Sequence, residues 1–331
     1  MPIISVVKDP QAFTMTVVAE FAATPERVWD AYADPRQLEK FWGPVEWPAT
    51  FTRHDFAVGG LSSYSMTGPD GEKAGGYWRF LAVDAPRSFR VQDGFAEEDG
   101  TPNLDLPAME MTFTFEATAG GARVTTLTAF GSADALAQVL EMGMEQGMRS
   151  AMSQIDAVLA DLATFASSRA AEAQILSDTQ VRVSRVIRGT AAQVWTAHHD
   201  ATLMKRWLLG PDGWDMTVCE PAVVVGAAYR YEWAPVAGGA ADGAQGFGFE
   251  GELLESMPPV RAVTTERMIG MPGEGTTNEM TLTPVSGGTL LSLLITYPSV
   301  ELRDMILATG MTDGMEASYA RLEAELAGAS A

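Results

Sequence analysis

Few side chains in this sequence are suited to acid–base, nucleophilic or metal chemistry. The chain has three histidines and one cysteine. His198 and His199 are adjacent in a helical segment, so their side chains diverge by about 100° and make a poor metal pair. Cys219 stands beside Glu220 in a strand-like run with nothing basic nearby in sequence to lower its pKa, and reads as a small buried hydrophobe. Gly238-Gly239-Ala240-Ala241-Asp242-Gly243 lacks the Lys and Ser/Thr of a phosphate loop and reads as a flexible hairpin connection. Glu97-Glu98-Asp99 reads as a solvated loop. No Ser/His/Asp or Cys/His arrangement is visible, and no metal or cofactor is expected. Were the chain an enzyme, His54, Asp55 and Tyr64 would be the first catalytic candidates. They would assist a reaction driven mainly by orienting a bound substrate. A satisfied structural histidine is the plainer reading of His54.

The residues better suited to work are apolar. Trp42, Trp47, Tyr64 and Trp78 in the first half, and Trp207, Trp214, Tyr231 and Trp233 in the second, either pack a core or form walls that stack on a flat polycyclic guest. Met109, Met111, Phe113 and Met280 lie on the apolar faces of strands. Met144, Met148, Met311 and Met315 are adaptable thioethers suited to an irregular guest, and the chain carries 18 methionines in all. Each of these four neighbours a glycine of the set Gly143, Gly147, Gly310 and Gly314. In a helix interior each such glycine costs about 1 kcal/mol against alanine. Close packing against a sheet, or room beside a ligand, would explain them.

Composition narrows the classes. At 331 residues the chain suggests two domains of about 150 residues. Its 22 Lys+Arg against 43 Asp+Glu give a net charge of −21, which repels phosphate backbones and anionic lipid surfaces. Nucleic-acid and membrane-surface partners are therefore not expected. The N-terminus does not read as a secretory signal, no run of 18 apolar residues occurs, and the single cysteine allows no internal disulfide. A cytoplasmic location fits.

The elements that must position these residues come in two copies. Thr24-Pro25-Glu26-Arg27-Val28-Trp29 matches Thr190-Ala191-Ala192-Gln193-Val194-Trp195, and Asp34 matches Asp200, at an offset of 166. At 167, Gly43-Pro44 matches Gly210-Pro211, Trp47 matches Trp214, Tyr64 matches Tyr231 and Gly120-Gly121 matches Gly287-Gly288. Gly143-Met144-x-x-Gly147-Met148 recurs as Gly310-Met311-x-x-Gly314-Met315. Two domains are expected, 10–165 and 178–328, joined by an Ala/Ser-rich linker at 166–177.

Each copy begins with a strand (Phe13 to Phe21 in the first). Thr24 then caps a short helix with Pro25 in its first turn, and Pro35 starts a second. Strands follow; Met109 to Glu116 alternates cleanly, and Gly120-Gly121 turns it back through Val124 to Phe130. Ser132 caps a helix expected to run unbroken to about Leu162, with Met144, Met148, Met152, Ile155, Leu159 and Leu162 along one stripe. Copy two offers Met311, Met315, Tyr319, Leu322 and Leu326. That order builds an α+β domain whose curved antiparallel sheet grips a helix.

T-P-E-R-V-W…D-P…F-W-G-P followed by G-M-x-x-G-M-x-x-x-x-x-Q-I-D-x-V-L resembles the AHSA-type branch of the START-like (SRPBCC, helix-grip) superfamily, named for homology to a heat-shock-protein ATPase activator. The resemblance covers Phe13 to Leu162 and is looser in copy two, where Leu208-Leu209-Gly210-Pro211 replaces Trp42-Gly43-Pro44. It implies two tandem helix-grip domains, each β-α-α-β₆-α around an apolar cavity. Relatives bind lipids, sterols, hormones or polyketides; some cyclise or hydrolyse them, and some protect antibiotic producers, including enediyne producers, from their own product. The expected function is binding of a hydrophobic, polycyclic or polyketide-like small molecule, with natural-product self-resistance as one setting. A glycine Cα–H, Gly143 or Gly147 being candidates, could then act as a sacrificial hydrogen donor. A polyketide cyclase or hydrolase is the alternative. A co-chaperone role ranks third, since no separate chaperone-docking domain is recognisable.

Overall fold

The computed structural model describes residues 2–97, 100–161, 170–210, 212–237 and 245–328. Leu162, Glu98-Asp99, Pro211 and the Gly238–Gly243 run lie outside them. The chain divides into two compact units, Met1–Ala163 and Thr164–Ala331.

In the first unit Thr24 accepts a hydrogen bond from Arg27 N (3.3 Å), which starts α1 (Pro25–Ala33). Asp34 ends α1 and caps α2 (Pro35–Leu38). Its buried carboxylate takes the Arg36 amide at 3.0 Å and the Arg36 guanidinium at 3.0 and 2.8 Å. Burial alone would raise that carboxyl's pKa, but the paired arginine holds it below its ordinary value. Eight strands surround these helices: β1 (Ile3–Asp9), β2 (Thr14–Phe21), β3 (Ala49–His54), β4 (Leu61–Thr67), β5 (Lys73–Asp84), β6 (Ser88–Ala96), β7 (Met109–Thr118) and β8 (Gly121–Phe130). They form one antiparallel sheet in the order β1-β2-β8-β7-β6-β5-β4-β3. The alternation read from Met109 to Glu116 becomes an inner row of Met109, Met111, Phe113 and Phe115, all buried. Over that face lie α1, α2 and the closing helices α3 (Ala133–Glu141) and α4 (Met144–Ala160).

The core of this unit is aromatic. Trp29 meets Phe56, Phe89 and Phe115 at ring-centroid distances of 5.2–5.8 Å. Phe89 stacks on Phe113 at 4.5 Å. Trp78 and Phe51 are fully enclosed at 0% exposure.

The second unit repeats the scheme. Its strands are β9 (Glu172–Ile175), β10 (Gln180–Ile187), β11 (Trp214–Glu220), β12 (Ala228–Pro235), β13 (Phe247–Met257), β14 (Arg261–Met268), β15 (Thr276–Val285) and β16 (Gly288–Thr296). They order as β11-β12-β13-β14-β15-β16-β10-β9. The helices are α5 (Ala191–His199), α6 (Ala201–Trp207), α7 (Val300–Ala308) and α8 (Met311–Gly328). Thr190 and Gln193 form a reciprocal capping box at the start of α5. Its core is more aliphatic than the first: Ile187, Val194, Leu282, Leu291 and Leu322 pack with Trp207 and Tyr319.

Three sequence expectations change. Within the supposed linker 166–177, Glu172–Ile175 is an edge strand paired with β10. Residues 3–9, left outside the first domain, form β1 on β2. Both are edge strands whose backbone pairs on one side only; β9 has four residues and β1, IISVVKD, does not alternate cleanly, so each gives a weak periodic signal.

The third change concerns the closing helix, which is not continuous. Ser132 caps α3, accepting from Ala135 N at 3.1 Å, but α3 stops at Glu141. Gly143 then sits at φ +87° before α4 begins. Gly310, at φ +78°, separates α7 from α8 in the same way. Gly143 and Gly310 are therefore hinge residues in the left-handed region, which a Cβ disfavours, while Gly147 and Gly314 are helical. A Cβ at Gly147 would meet only Pro44 Cγ at 3.9 Å, and one at Gly314 nothing within 4 Å. Close packing thus does not account for these two glycines. Gly143→Ala should cost about 1–2 kcal/mol in denaturant unfolding. Gly147→Ala should leave stability unchanged or raise it by up to about 1 kcal/mol.

Candidate functional site

The inner face of the first sheet carries an acidic group, Asp93. On β6, Phe89, Val91, Asp93 and Phe95 share an inward register, and Asp93 pairs with Trp78 of β5 and Met109 of β7. Tyr64 on β4 lies opposite Gly76 of β5. A Cβ at Gly76 would collide with the Tyr64 ring, so this glycine lets the ring lie across the sheet. The Tyr64 hydroxyl thereby reaches Asp93, donating to Oδ1 at 3.3 Å.

Three more aromatic rings frame the pair. Trp42 meets Trp78 edge-on at 4.5 Å and Tyr64 at 6.2 Å. Phe51 stacks on Tyr64 at 4.9 Å. Burial drives the Asp93 carboxyl up to about 7, against the favourable donors Tyr64, Trp78 and the Gly94 amide. Burial, then the Asp93 charge, hold the Tyr64 phenol well above its ordinary value. The indole N–H groups of Trp42 and Trp78 favour Tyr64 and Asp93 respectively. Neither reaches hydrogen-bond geometry with any described residue, although both are buried.

Along α4 the inward stripe changes character. Ala151, Met152, Ile155 and Leu159 are buried, whereas Met144, Gly147 and Met148, one to two turns earlier, are only half-buried. This part of the helix borders the Gly43–Val45 loop: Gly147 faces Pro44, and Gln154 Nε2 donates to Gly43 O at 2.8 Å. Trp42 and Trp47, at the two ends of that loop, are half-buried as well.

His54 and Asp55 serve the scaffold. His54 Nε2 meets Tyr32 O at 3.0 Å and Nδ1 meets Ser62 Oγ at 2.8 Å. Since a carbonyl only accepts, Nε2 carries the proton and Nδ1 accepts from the serine. Asp55 is fully buried and paired with Arg53 at 2.6 Å. Tyr64 is directed instead to Asp93, so the three catalytic candidates do not form one cluster through their mutual hydrogen bonds.

In the second unit the aromatic residues divide into two groups. Trp207 donates to Ala197 O at 2.9 Å and stacks with Tyr319. Trp214 and Trp233 pack on Phe247 at 5.2 and 5.1 Å, and Trp233 donates to Leu208 O at 2.7 Å. Tyr231 and Met280 are half-buried against the cluster of Ala222, Tyr229, Leu253 and Ala262. Met311 and Met315 pack against Val181, Val183, Ile295 and Tyr297. His198 and His199 each donate from Nδ1 to the carbonyl four residues earlier, at 2.7 and 2.8 Å. Burial lowers both pKa values, His198 to about 4. Cys219 is half-buried, its Sγ 4.0 Å from Met204 Sδ, and burial raises its thiol pKa.

Here too the sheet holds a half-buried acid. Glu266 on β14 stands 3.3 Å from Tyr229 Oη, whose proton goes to the Thr265 carbonyl at 2.8 Å, and is engaged by Asn278; burial raises its pKa. Asp93, Glu266 and Tyr229 did not emerge from sequence reasoning. For Asp93 a signal existed, an acid in the apolar register of Phe89, Val91 and Phe95. Among the described residues no three His, Cys, Asp or Glu side chains assemble a metal site, and no helix is long and apolar enough to cross a membrane.

Two solved structures are similar to part of this chain. Protein Ms6760 from Mycobacterium smegmatis is 52% identical over 48% of this chain and 98% of its own, with a TM-score of 0.46. A protein from Arthrobacter aurescens is 47% identical over 48% of this chain and 92% of its own, with a TM-score of 0.46. No curated protein matches the chain. The family described as activator of Hsp90 ATPase homolog 1-like protein matches residues 22–160 and again 188–327. With most of its length so matched, and an antiparallel sheet closed by helices in each half, the chain belongs to that family as two tandem copies of its domain.

Proposed function

We propose that this protein binds and sequesters an uncharged apolar small molecule, polycyclic or polyketide-like, in the interior of its first unit. The observation that carries this reading is the half-burial of Trp42, Tyr64, Met144 and Met148 in a unit whose core aromatics Phe51, Trp78, Phe89 and Phe113 are fully enclosed. Covering such surface with a guest contributes about 25 cal/mol per Å² of apolar area removed from water, and methionines adapt to an irregular outline. The net charge of −21 argues against an anionic guest. Sequestration fits these residues better than catalysis, because both ring nitrogens of His54 and the Asp55 carboxylate already have protein partners. A self-resistance role in a cytoplasmic setting is the use most consistent with sequestration.

Native mass spectrometry with a panel of uncharged polycyclic aromatics tests the reading. A retained ligand is expected at micromolar concentration. Met148→Ala and Trp42→Ala should each weaken retention about 5- to 30-fold, the range that losing ~1–2 kcal/mol of contact implies. No retained mass across the panel would refute it. A changed ligand mass would indicate turnover instead, and backbone cleavage at a glycine would indicate a sacrificial role.

A further inference from the structure

The half-buried acids of the two units, Asp93 and Glu266, occupy equivalent places. Met109 lies nine residues before Thr118, the last β7 residue paired across the β7–β8 turn, and Thr276 lies nine before Val285, its counterpart in β15. Asp93 pairs with Met109, and Glu266 pairs with Thr276. Each acid is met by a tyrosine from the strand two positions away in the sheet, Tyr64 or Tyr229, whose ring crosses a glycine of the strand between. A Cβ at Gly76 would strike the Tyr64 ring; one at Gly251 would lie 2.8 Å from Tyr229 Cε1, besides meeting the Thr265 carbonyl. Each site also holds an enclosed donor that reaches hydrogen-bond geometry with no described residue. In the first unit it is Trp78 Nε1, on a residue with 0% exposure; in the second it is Tyr297 Oη, on a residue with 2%. Leaving such a donor unpaired is unfavourable, and an apolar core needs none of these groups.

Resting on the ligand-binding reading above, we infer that each unit carries a polar anchor, Tyr64–Asp93–Trp78 in the first and Tyr229–Glu266–Tyr297 in the second, which selects an apolar ligand bearing an uncharged hydrogen-bond-accepting oxygen, such as a ring ketone or quinone. Tyr64 donates to its acid, whereas Tyr229 gives its proton to the Thr265 carbonyl at 2.8 Å and stands 3.3 Å from Glu266; the remaining donors converge on the ligand oxygen. A protonated carboxyl adds a further donor, so its raised pKa supports the arrangement. A hydrocarbon of the same shape leaves those donors unpaired, and an anionic ligand adds repulsion wherever the acid is ionised.

Fluorenone and fluorene, which differ by a carbonyl replacing a methylene, are suitable probes. Their affinities for wild type, Tyr64→Phe, Asp93→Asn, Asp93→Leu and Asp93→Leu/Glu266→Leu are compared by equilibrium dialysis at pH 6, with native mass spectrometry giving the stoichiometry. The ratio of fluorenone to fluorene affinity should fall about 5- to 10-fold in the double variant, the size expected for one net hydrogen bond. Each single removal in the first unit should lower the ratio at one of two sites. Asp93→Asn, which keeps a donor, should preserve it. A ratio equal in wild type and all variants would overturn the anchor while leaving ligand binding standing. Failure of wild type to bind either probe would overturn both.

Discussion

Trp78→Ala should destabilise the first unit by about 3–5 kcal/mol, the usual cost of emptying a large buried aromatic site. Trp78 has no exposure and lies at the centre of the aromatic core. Its ring meets Trp42 at 4.5 Å and has Phe51, His54, Tyr64, Phe80, Phe89 and Phe113 within 6.4 Å. Those neighbours are held by five strands, β3 to β7, and the loop after α2, so they cannot collapse into the space together. Hydrogen exchange across a denaturant series localises the effect: amides of β5 and β6 should lose protection, while those of the second unit keep theirs. Half-buried Trp47, treated in the same way, should cost only about 1 kcal/mol. Equal losses at the two positions would mean that the aromatic core is not the organising element described.

The second large effect is a pH dependence that one substitution removes. Asp93 titrates near 7 in the folded unit and near 3.9 in an unfolded chain. Between these values the folded state holds a proton that the unfolded state gives up. Stability from this group is therefore fully present below about pH 4 and is lost as pH rises through 7. Three pKa units correspond to about 4 kcal/mol, which partial exposure of the residue reduces to about 2–4. Tyr64 and Tyr77 are the titratable neighbours acting with Asp93, and both stay protonated through this window because burial holds their phenols above the ordinary value. Asp93→Asn should thus stabilise the first unit by that amount at pH 8 and by almost nothing at pH 4. Unfolding free energies of both proteins from pH 4 to 8 give the difference. Parallel curves would show that the Asp93 carboxyl is not enclosed as described, and the anchor proposed above would lose its acid.

Part of the site was legible beforehand. Trp42, Tyr64 and Trp78 stood out as aromatics repeated or clustered near the predicted strands, and all three converge in the structure. Asp93 escaped because an acid is read first as a surface residue, although its place among Phe89, Val91 and Phe95 is the clue. The Tyr64–Asp93 contact could not be read at all. It joins residues 29 apart in sequence through the pairing of three strands, and it exists only because Gly76 leaves space for the ring. Gly143 was legible as an anomaly but not as a hinge, since propensity reports the cost of a glycine in a helix and not the φ it adopts.

The sequence by itself determined the duplication, the family, the caps at Thr24, Ser132 and Thr190, and the alternation of β7. These are local or repetitive features, and local chemistry decides them: a side-chain oxygen three residues before an amide, a period of two, a motif met twice. Tertiary structure alone decided that α3 and α4 part at Gly143, that residues 172–175 finish a sheet, and that His54 is satisfied by Tyr32 and Ser62. It also decided that Asp93 and Glu266 occupy the same place in two sheets. Each of those depends on strand register and on which side chain leaves room for another, quantities that no window of consecutive residues contains.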